Sequence, residues 1–187
     1  MKTEERLQEG IKQMVLKIPV DEITVTSLCE FCGTNRQTFY YHYCDIYDLV
    51  QSIFMKRSQV FITNITRWDD AMCFLISYIR ENKVCISALM KSSFSQILKD
   101  FFYDIIYVKM YREHLIASDF KDLTNEDAKF IARFYAAGFS SEICHFIDID
   151  DDFNQEEMIR KFHVFSKAGV PASVHFAVSS YKKDENI

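Results

Sequence analysis

Apolar residues recur along this chain at intervals of three and four, with polar positions filling the opposite faces. That period belongs to amphipathic helices, since strands alternate in twos. Leu7, Ile11, Met14 and Val15 predict a first helix from Thr3 to Lys17, in which Gly10 allows close packing. Ile18-Pro19 ends it, because the residue before proline avoids helical angles. Leu28, Cys29 and Cys32 share one face of a short second helix, capped by the hydroxyl of Thr24 or Thr26. Gly33 supplies a left-handed exit, and Asn35 caps a third short helix with Phe39 and Tyr43 turned inward. A long fourth helix follows from Asp45 to about Thr66, with Leu49, Ile53, Val60, Phe61 and Ile65 inside.

Trp68-Asp69-Asp70 marks a break with Asp69 as the cap, before a periodic stretch from Met72 to Met90. Three further helices are predicted: an aromatic-rich one over 94–115, one over 124–147 capped by Thr124, and one over 154–168. The last turns Met158, Ile159, Phe162 and Phe165 inward, and Ala136-Ala137-Gly138 gives its predecessor a flat strip for close helix approach. Asp119 to Asp122 and the acidic run Asp148 to Asp152 read as loops. Gly169-Val170-Pro171 predicts a break, then a short segment with Val174, His175 and Val178 that is helical or extended. The fold class is therefore all-α.

Composition narrows the function. Hydrophobic residues make up 49% of the 187, ample for a core, and four Gly with two Pro leave little punctuation, so long helices are expected. A formal charge of −5 argues against coating nucleic acid nonspecifically. Met1 to Lys17 is charged and amphipathic rather than a signal peptide, and no apolar run reaches membrane-spanning length, so a cytoplasmic protein is expected. Six cysteines at 29, 32, 44, 73, 85 and 144 would then stay reduced. Cys29 and Cys32 form a C-x-x-C, but no second Cys or His pair follows, so packing rather than metal explains them. The histidines at 42, 114, 145, 163 and 175 stand apart, and no glycine-rich phosphate loop occurs. An enzyme is disfavoured, and no cofactor is expected.

The stretch from 24 to 49 carries the chemistry. Two short helices joined by Gly33-Thr34-Asn35 follow helix-turn-helix grammar. Arg36 and Gln37 suit the paired groups on guanine and adenine, and Thr38 suits phosphate or a thymine methyl. Tyr40, Tyr41 and His42 bring polar tips on flat bodies to the sugar-phosphate backbone. No acidic residue occurs from Phe31 to Cys44, as expected of a surface that approaches phosphate. Against this, residues 1–57 hold seven Lys or Arg and eight Asp or Glu, so the DNA-binding end is not a basic domain.

The run Ile23-Thr24-Val25-Thr26-Ser27-Leu28-Cys29-Glu30-Phe31-Cys32-Gly33-Thr34-Asn35-Arg36-Gln37-Thr38-Phe39-Tyr40-Tyr41-His42-Tyr43 resembles the DNA-binding domain of TetR/AcrR transcriptional regulators of bacteria. The continuation through Asp45-Ile46-Tyr47-Asp48-Leu49 is most similar to the subgroup containing activators of dihydroxyacetone kinase operons. The resemblance covers about the first quarter of the chain. It implies a helix-turn-helix DNA-binding domain over 1–48, with Thr24, Thr26, Asn35, Arg36, Gln37, Thr38, Tyr40, Tyr41 and His42 at the DNA. It further implies a helical ligand-sensing and dimerisation domain over 49–187. Helices near 124–147 and 154–168 would pair with their copies, making a homodimer on a palindromic double-stranded operator. A small-molecule effector or a protein coactivator would modulate it, with Tyr78, Phe94, Tyr107, Tyr111, His114 and Tyr135 as ligand candidates. Many members of the family carry a phosphate-contacting lysine where this chain has Ile46. That departure and the acidic N-terminal end keep an alternative open: a helical interaction protein whose DNA-binding surface has degraded.

Overall fold

The structure, a computed structural model, describes residues 2–64, 67–112, 123–148 and 154–184. Among them there are helices and no strands. The first helix, α1 (Thr3–Val15), buries Leu7, Ile11, Met14 and Val15, and a single 3₁₀ turn at Val20–Glu22 follows Pro19. Next come α2 (Val25–Phe31) and α3 (Arg36–His42), and α1 packs against both. The crossing with α2 is close. A Cβ built at Gly10 would meet Cys32 Sγ at 2.2 Å, so the bare α-carbon is required there.

The long α4 (Ile46–Asn64) starts from a reciprocal cap. Asp48 N–H donates to Asp45 Oδ1 at 2.8 Å, and Cys44 N–H donates to Asp48 Oδ2 at 2.9 Å. Its inner face is Ile46, Leu49, Val50, Phe54 and Phe61, whereas Val60, expected inside, lies at the surface. Ile46 is a core residue here. The expected domain boundary at 48/49 falls within α4, which packs against both α1 and α7.

After α4 the chain forms α5 (Trp68–Glu81), α6 (Lys83–Met90) and α7 (Ser95–Lys109). Arg67, not Asp69, precedes the first helical residue of α5, because Trp68 is already drawn in against Phe139. Asp69 instead faces His163 Nδ1 at 3.1 Å. The centre of the second half is α7, packed between α4 and α8 (Asn125–Asp148) and burying Ile97, Leu98, Phe101, Phe102, Ile105 and Ile106. Lys109 at its end is fully buried, with Nζ donating to Ile62 O at 3.0 Å near the negative end of the α4 dipole. Thr124 caps α8 as expected, its Oγ1 accepting from Asp127 N–H at 3.1 Å. The anticipated loops at 119–122 and 149–152, and Ile65, lie outside the described residues.

The C-terminal region differs from expectation. Instead of a break at 169–171, α9 (Gln155–Val164) passes through a π-helical turn at Phe165–Gly169 into α10 (Val170–Asp184). Val170 N–H reaches back to Phe165 O, shifting the hydrogen-bond frame by one residue just before Pro171. Pro171 then stands in the first turn of α10, where a missing N–H is tolerated. Phe165, expected inside with Met158 and Phe162, lies at the surface, and Ser166 is the buried residue of that turn.

Candidate nucleic-acid interface

The helix-turn-helix segment is assembled by local chemistry. Thr24 caps α2 through a reciprocal pair: Ser27 N–H donates to Thr24 Oγ1 at 3.1 Å, and Thr24 N–H donates to Ser27 Oγ at 3.0 Å. Thr26 sits exposed in the first turn. At the other end Thr34 N–H donates to Cys29 O at 2.9 Å and Gly33 N–H to Glu30 O at 3.2 Å. Gly33 has φ +60°, so this is the left-handed closure in which glycine avoids a Cβ clash. Asn35 Oδ1 then accepts from both Thr38 N–H at 2.7 Å and Thr38 Oγ1 at 2.9 Å, fixing the start of α3.

The short α3 is held by its underside. Phe39 is fully buried and Tyr43 nearly so, their rings 5.8 Å apart. Tyr43 Oη accepts from Gln8 Nε2 at 2.9 Å and donates to Glu4 Oε1 at 3.3 Å, while Glu4 also takes the Lys56 ammonium. One tyrosine therefore ties α3 to α1 and, through Glu4, to α4. That Lys56 hydrogen bond is the main reason the Glu4 carboxyl is held below its usual range. Burial pushes the Tyr43 phenol up, so it stays a neutral donor.

The opposite face stands in solvent. Arg36, Gln37, Tyr40, Tyr41 and His42 are exposed, Tyr41 by 85%. The Arg36 guanidinium lies 5.9 Å from the centroid of the Tyr40 ring, and Tyr41 meets His42 edge-on at 5.1 Å. The structure thus brings Arg36, Gln37, Tyr40, Tyr41 and His42 onto one short rod, with Thr24, Thr26, Asn35 and Thr38 at the neighbouring helix starts. Thr38 is half-buried and its hydroxyl is engaged by Asn35.

The ligand candidates do not converge in this way. Tyr78 packs among Arg57, Phe61 and Phe101, whereas Phe94 stacks on Tyr47 at 5.6 Å. Tyr107 and Tyr111 continue a parallel stack begun by Tyr103 along one side of α7, and Tyr111 bonds Asn125. Tyr135 lies against Gly169 and pairs with Ser173 Oγ at 3.0 Å. His114 lies outside the described residues. A cleft at the junction of α1, α4, α5 and α6 carries no sequence motif, because its walls come from four separate elements. Among the described residues no group of three or more His, Cys, Asp or Glu is placed to hold a metal, and no helix is long and apolar enough to cross a membrane.

A helix-turn-helix unit carrying an exposed third helix, mounted on a larger helical half, defines a class of two-part helical transcriptional regulators. A TetR-type family model described as "Transcriptional regulator C-terminal region" matches residues 66–168. No curated protein matches. Among solved structures, the chain is similar to the dihydroxyacetone kinase operon activator DhaS, with a TM-score of 0.71 at 16% identity over 91% of this chain and 97% of that one. It is also similar to the TetR family repressor AlkX of Dietzia sp. strain DQ12-45-1b, implicated in n-alkane biodegradation (TM-score 0.55, 13% identity, 91% and 96% covered). A third is the fatty acid degradation regulator FadR of Bacillus halodurans (TM-score 0.50, 10% identity, 90% and 96% covered). The chain belongs to the TetR family of transcriptional regulators. The family and these neighbours are regulators rather than enzymes.

Proposed function

We propose that this chain is a sequence-specific DNA-binding regulator that acts as a cytoplasmic homodimer on a palindromic operator, its affinity set by a small-molecule or protein effector. The observation that carries the reading is α3 itself: Arg36, Gln37, Tyr40 and Tyr41 project from a rod whose other side is pinned by Phe39 and Tyr43. Arg36 and Gln37 read base edges. Tyr40, Tyr41 and His42, with Thr24, Thr26, Asn35 and Thr38, hold the sugar-phosphate backbone. Residues 1–48 act as the DNA-binding unit and 49–187 as the regulatory unit, with α4 belonging to both.

Dimerisation follows from two exposed apolar stripes. On α8, Phe130 and Phe134 flank Ala137, Gly138 and Ser141; along α9 and α10, Phe165, Ala168, Ala172 and Phe176 recur at helical spacing. Helices 125–148 and 155–184 packed on their two-fold copies would bury both stripes, an extension past the 168 limit expected from the sequence. Two copies of α3 placed about 34–36 Å apart would then read successive major grooves.

A gel-shift with DNA from upstream of the gene, over a salt series, tests the reading. Affinity should fall as salt rises, and one palindrome alone should compete. The alternative, an interaction protein with a degraded DNA surface, draws support from Ile46, which is buried in the core where many members carry a phosphate-contacting lysine. Binding without sequence preference at every salt concentration would favour that alternative.

A further inference from the structure

Where the two halves of the chain meet, α1 and α4 form one wall of a cleft and the α5–α6 corner forms the other. Its inner chamber, about 330 Å³, is walled by Ile11, Val15, Val50, Ile53, Phe54 and Leu89. That volume lies at the lower end of the ~300–1,000 Å³ usual for small-molecule sites. Arg80, Glu81 and Lys83 stand on its rim. A second chamber of about 280 Å³ adjoins it, sharing Lys12, Ile53, Tyr78 and Asn82 and adding Gln8, Lys56, Arg57 and Val60. Among the described residues, three cations and no carboxylate line this outer chamber. Lys56 is matched by Glu4, and Lys12 lies 3.8 Å from Glu9.

Arg57 is the unusual member. Its guanidinium lies 4.7 Å from the Tyr78 ring centroid, and its Nε is buried with no hydrogen-bond partner among the described residues. Arg57 as a whole is half-buried and lines the outer chamber, so the free edge of its planar fork is available to pair with an anion there. Tyr78 Oη stays protonated, since burial pushes the phenol up.

Resting on the regulator reading above, we propose that this cleft is the effector site, and that it takes a small carboxylate with an apolar body. The body fills the chamber between Val50, Phe54 and Leu89, and the carboxylate meets Arg57 with Lys12 near by. Of the ligand candidates among the described residues, Tyr78 lines these chambers, and Phe94, Tyr107, Tyr111 and Tyr135 do not. The position explains how binding reaches the DNA. One wall moves with α3, because Tyr43 joins α3 to α1 and, through Glu4, to α4. The other wall is held to the first half through Asp21, which accepts from Ser93, and through the Tyr47–Phe94 stack. An occupant that fits one spacing of these walls better than another shifts the orientation of the reader.

Isothermal titration calorimetry of the full chain with sodium octanoate and with octan-1-ol tests the site. Octanoate should saturate one site per chain, and the alcohol should bind about tenfold more weakly, the worth of one charge-assisted hydrogen bond. Arg57→Gln should erase that difference. Cys85→Trp, which fills the cleft from α6, should abolish binding of both, and Arg57→Gln carries the test alone if the tryptophan variant does not fold. Equal affinity for acid and alcohol, unchanged octanoate binding in Arg57→Gln, or no saturation in the millimolar range would overturn the proposal. A chain that shifts its operator but ignores octanoate loses the cleft assignment alone. One that binds octanoate at Arg57 but selects no DNA loses the regulator reading and keeps the carboxylate site.

Discussion

A Cβ added at Gly10 would stand 2.2 Å from Cys32 Sγ and 3.3 Å from a methyl of Leu28, so α1 and α2 cross where no side chain fits. Cys32 Sγ also donates to Arg6 O at 3.4 Å, which limits how freely it can rotate away. Gly10→Ala should therefore lower stability by about 1–3 kcal/mol despite alanine's better helix propensity. Adding Cys32→Ala should restore most of the loss. Urea unfolding of the single and double variants, with the slope unchanged, checks this; a double variant no better than the single would remove Cys32 as the cause. The same contact gives Cys32 a packing role, and burial pushes the thiols of Cys29 and Cys32 up, away from reactivity. Gly33 and Asn35 were legible in the sequence because their roles are local: a positive φ at one, a capping carbonyl at the other. Arg57 was not legible, since its partner Tyr78 lies on another helix and nothing in the local pattern marks that pairing. Glu4 supplies a pH test. Its folded carboxyl sits below the ordinary value of 4.5, chiefly through the Lys56 hydrogen bond. A depressed carboxyl stabilises the fold above that value and loses its contribution as pH falls through the folded value. The urea midpoint of the parent should therefore drop below pH 4.5 more steeply than that of Glu4→Gln. The pair is exposed, so the difference should be small.

Between elements, the legible parts are those whose ends are marked by chemistry acting within four or five residues. Thr24 with Ser27, Gly33, Asn35 with Thr38, and Thr124 with Asp127 each place a helix boundary where the sequence predicts it. The Gly169-Val170-Pro171 stretch misled for a physical reason. Glycine and proline ordinarily punctuate a helix, but a π turn lets the backbone skip one residue in its ladder and absorb the proline without stopping. Phe165 and Val60 were placed inside by counting residues along an ideal helix. At each place the adjacent residue is the buried one, Ser166 beside Phe165 and Phe61 beside Val60, so a single stripe cannot hold both neighbours. For α3, the separation of an anchored face from an exposed one yields a discriminating experiment. Arg36→Ala or Gln37→Ala should lower affinity for the preferred site by about 1–3 kcal/mol and relax preference at one base position. Tyr41→Ala should weaken every site alike, because a backbone contact carries no sequence information. Competition gel-shifts against singly altered operators separate the two patterns. If all three variants bind as the parent does, α3 is not the reading helix.

For the whole molecule, the two apolar stripes must be reconciled with a chain that already has a continuous core. The core leaves Phe130, Phe134, Phe165 and Phe176 between 56% and 70% exposed. Single exposed aromatics are ordinary, but four along two contacting elements leave an amount of apolar surface that an interface would cover. Within one protomer those helices are fixed together: Tyr135 Oη bonds Ser173 Oγ at 3.0 Å and lies over Gly169, where a Cβ would approach it to 2.8 Å. In the proposed dimer, a two-fold axis beside this pair would bury the same residues on both copies, the self-complementary arrangement a symmetric dimer demands. Placing a carboxylate at its centre, as Phe134→Asp or Phe176→Asp, should leave the protomer folded, because neither ring belongs to the buried core. It should yield monomers in sedimentation, with an unchanged helical spectrum. The consequence for DNA is larger than for stability. A lone α3 contacts too few base pairs to select a site, so the monomer should retain weak, salt-sensitive binding and lose discrimination between a palindrome and a single half-site. Should either variant sediment as a monomer yet still prefer the intact palindrome, the two readers are coupled by some other surface, and the assignment of α8 and α10 to the dimer is wrong.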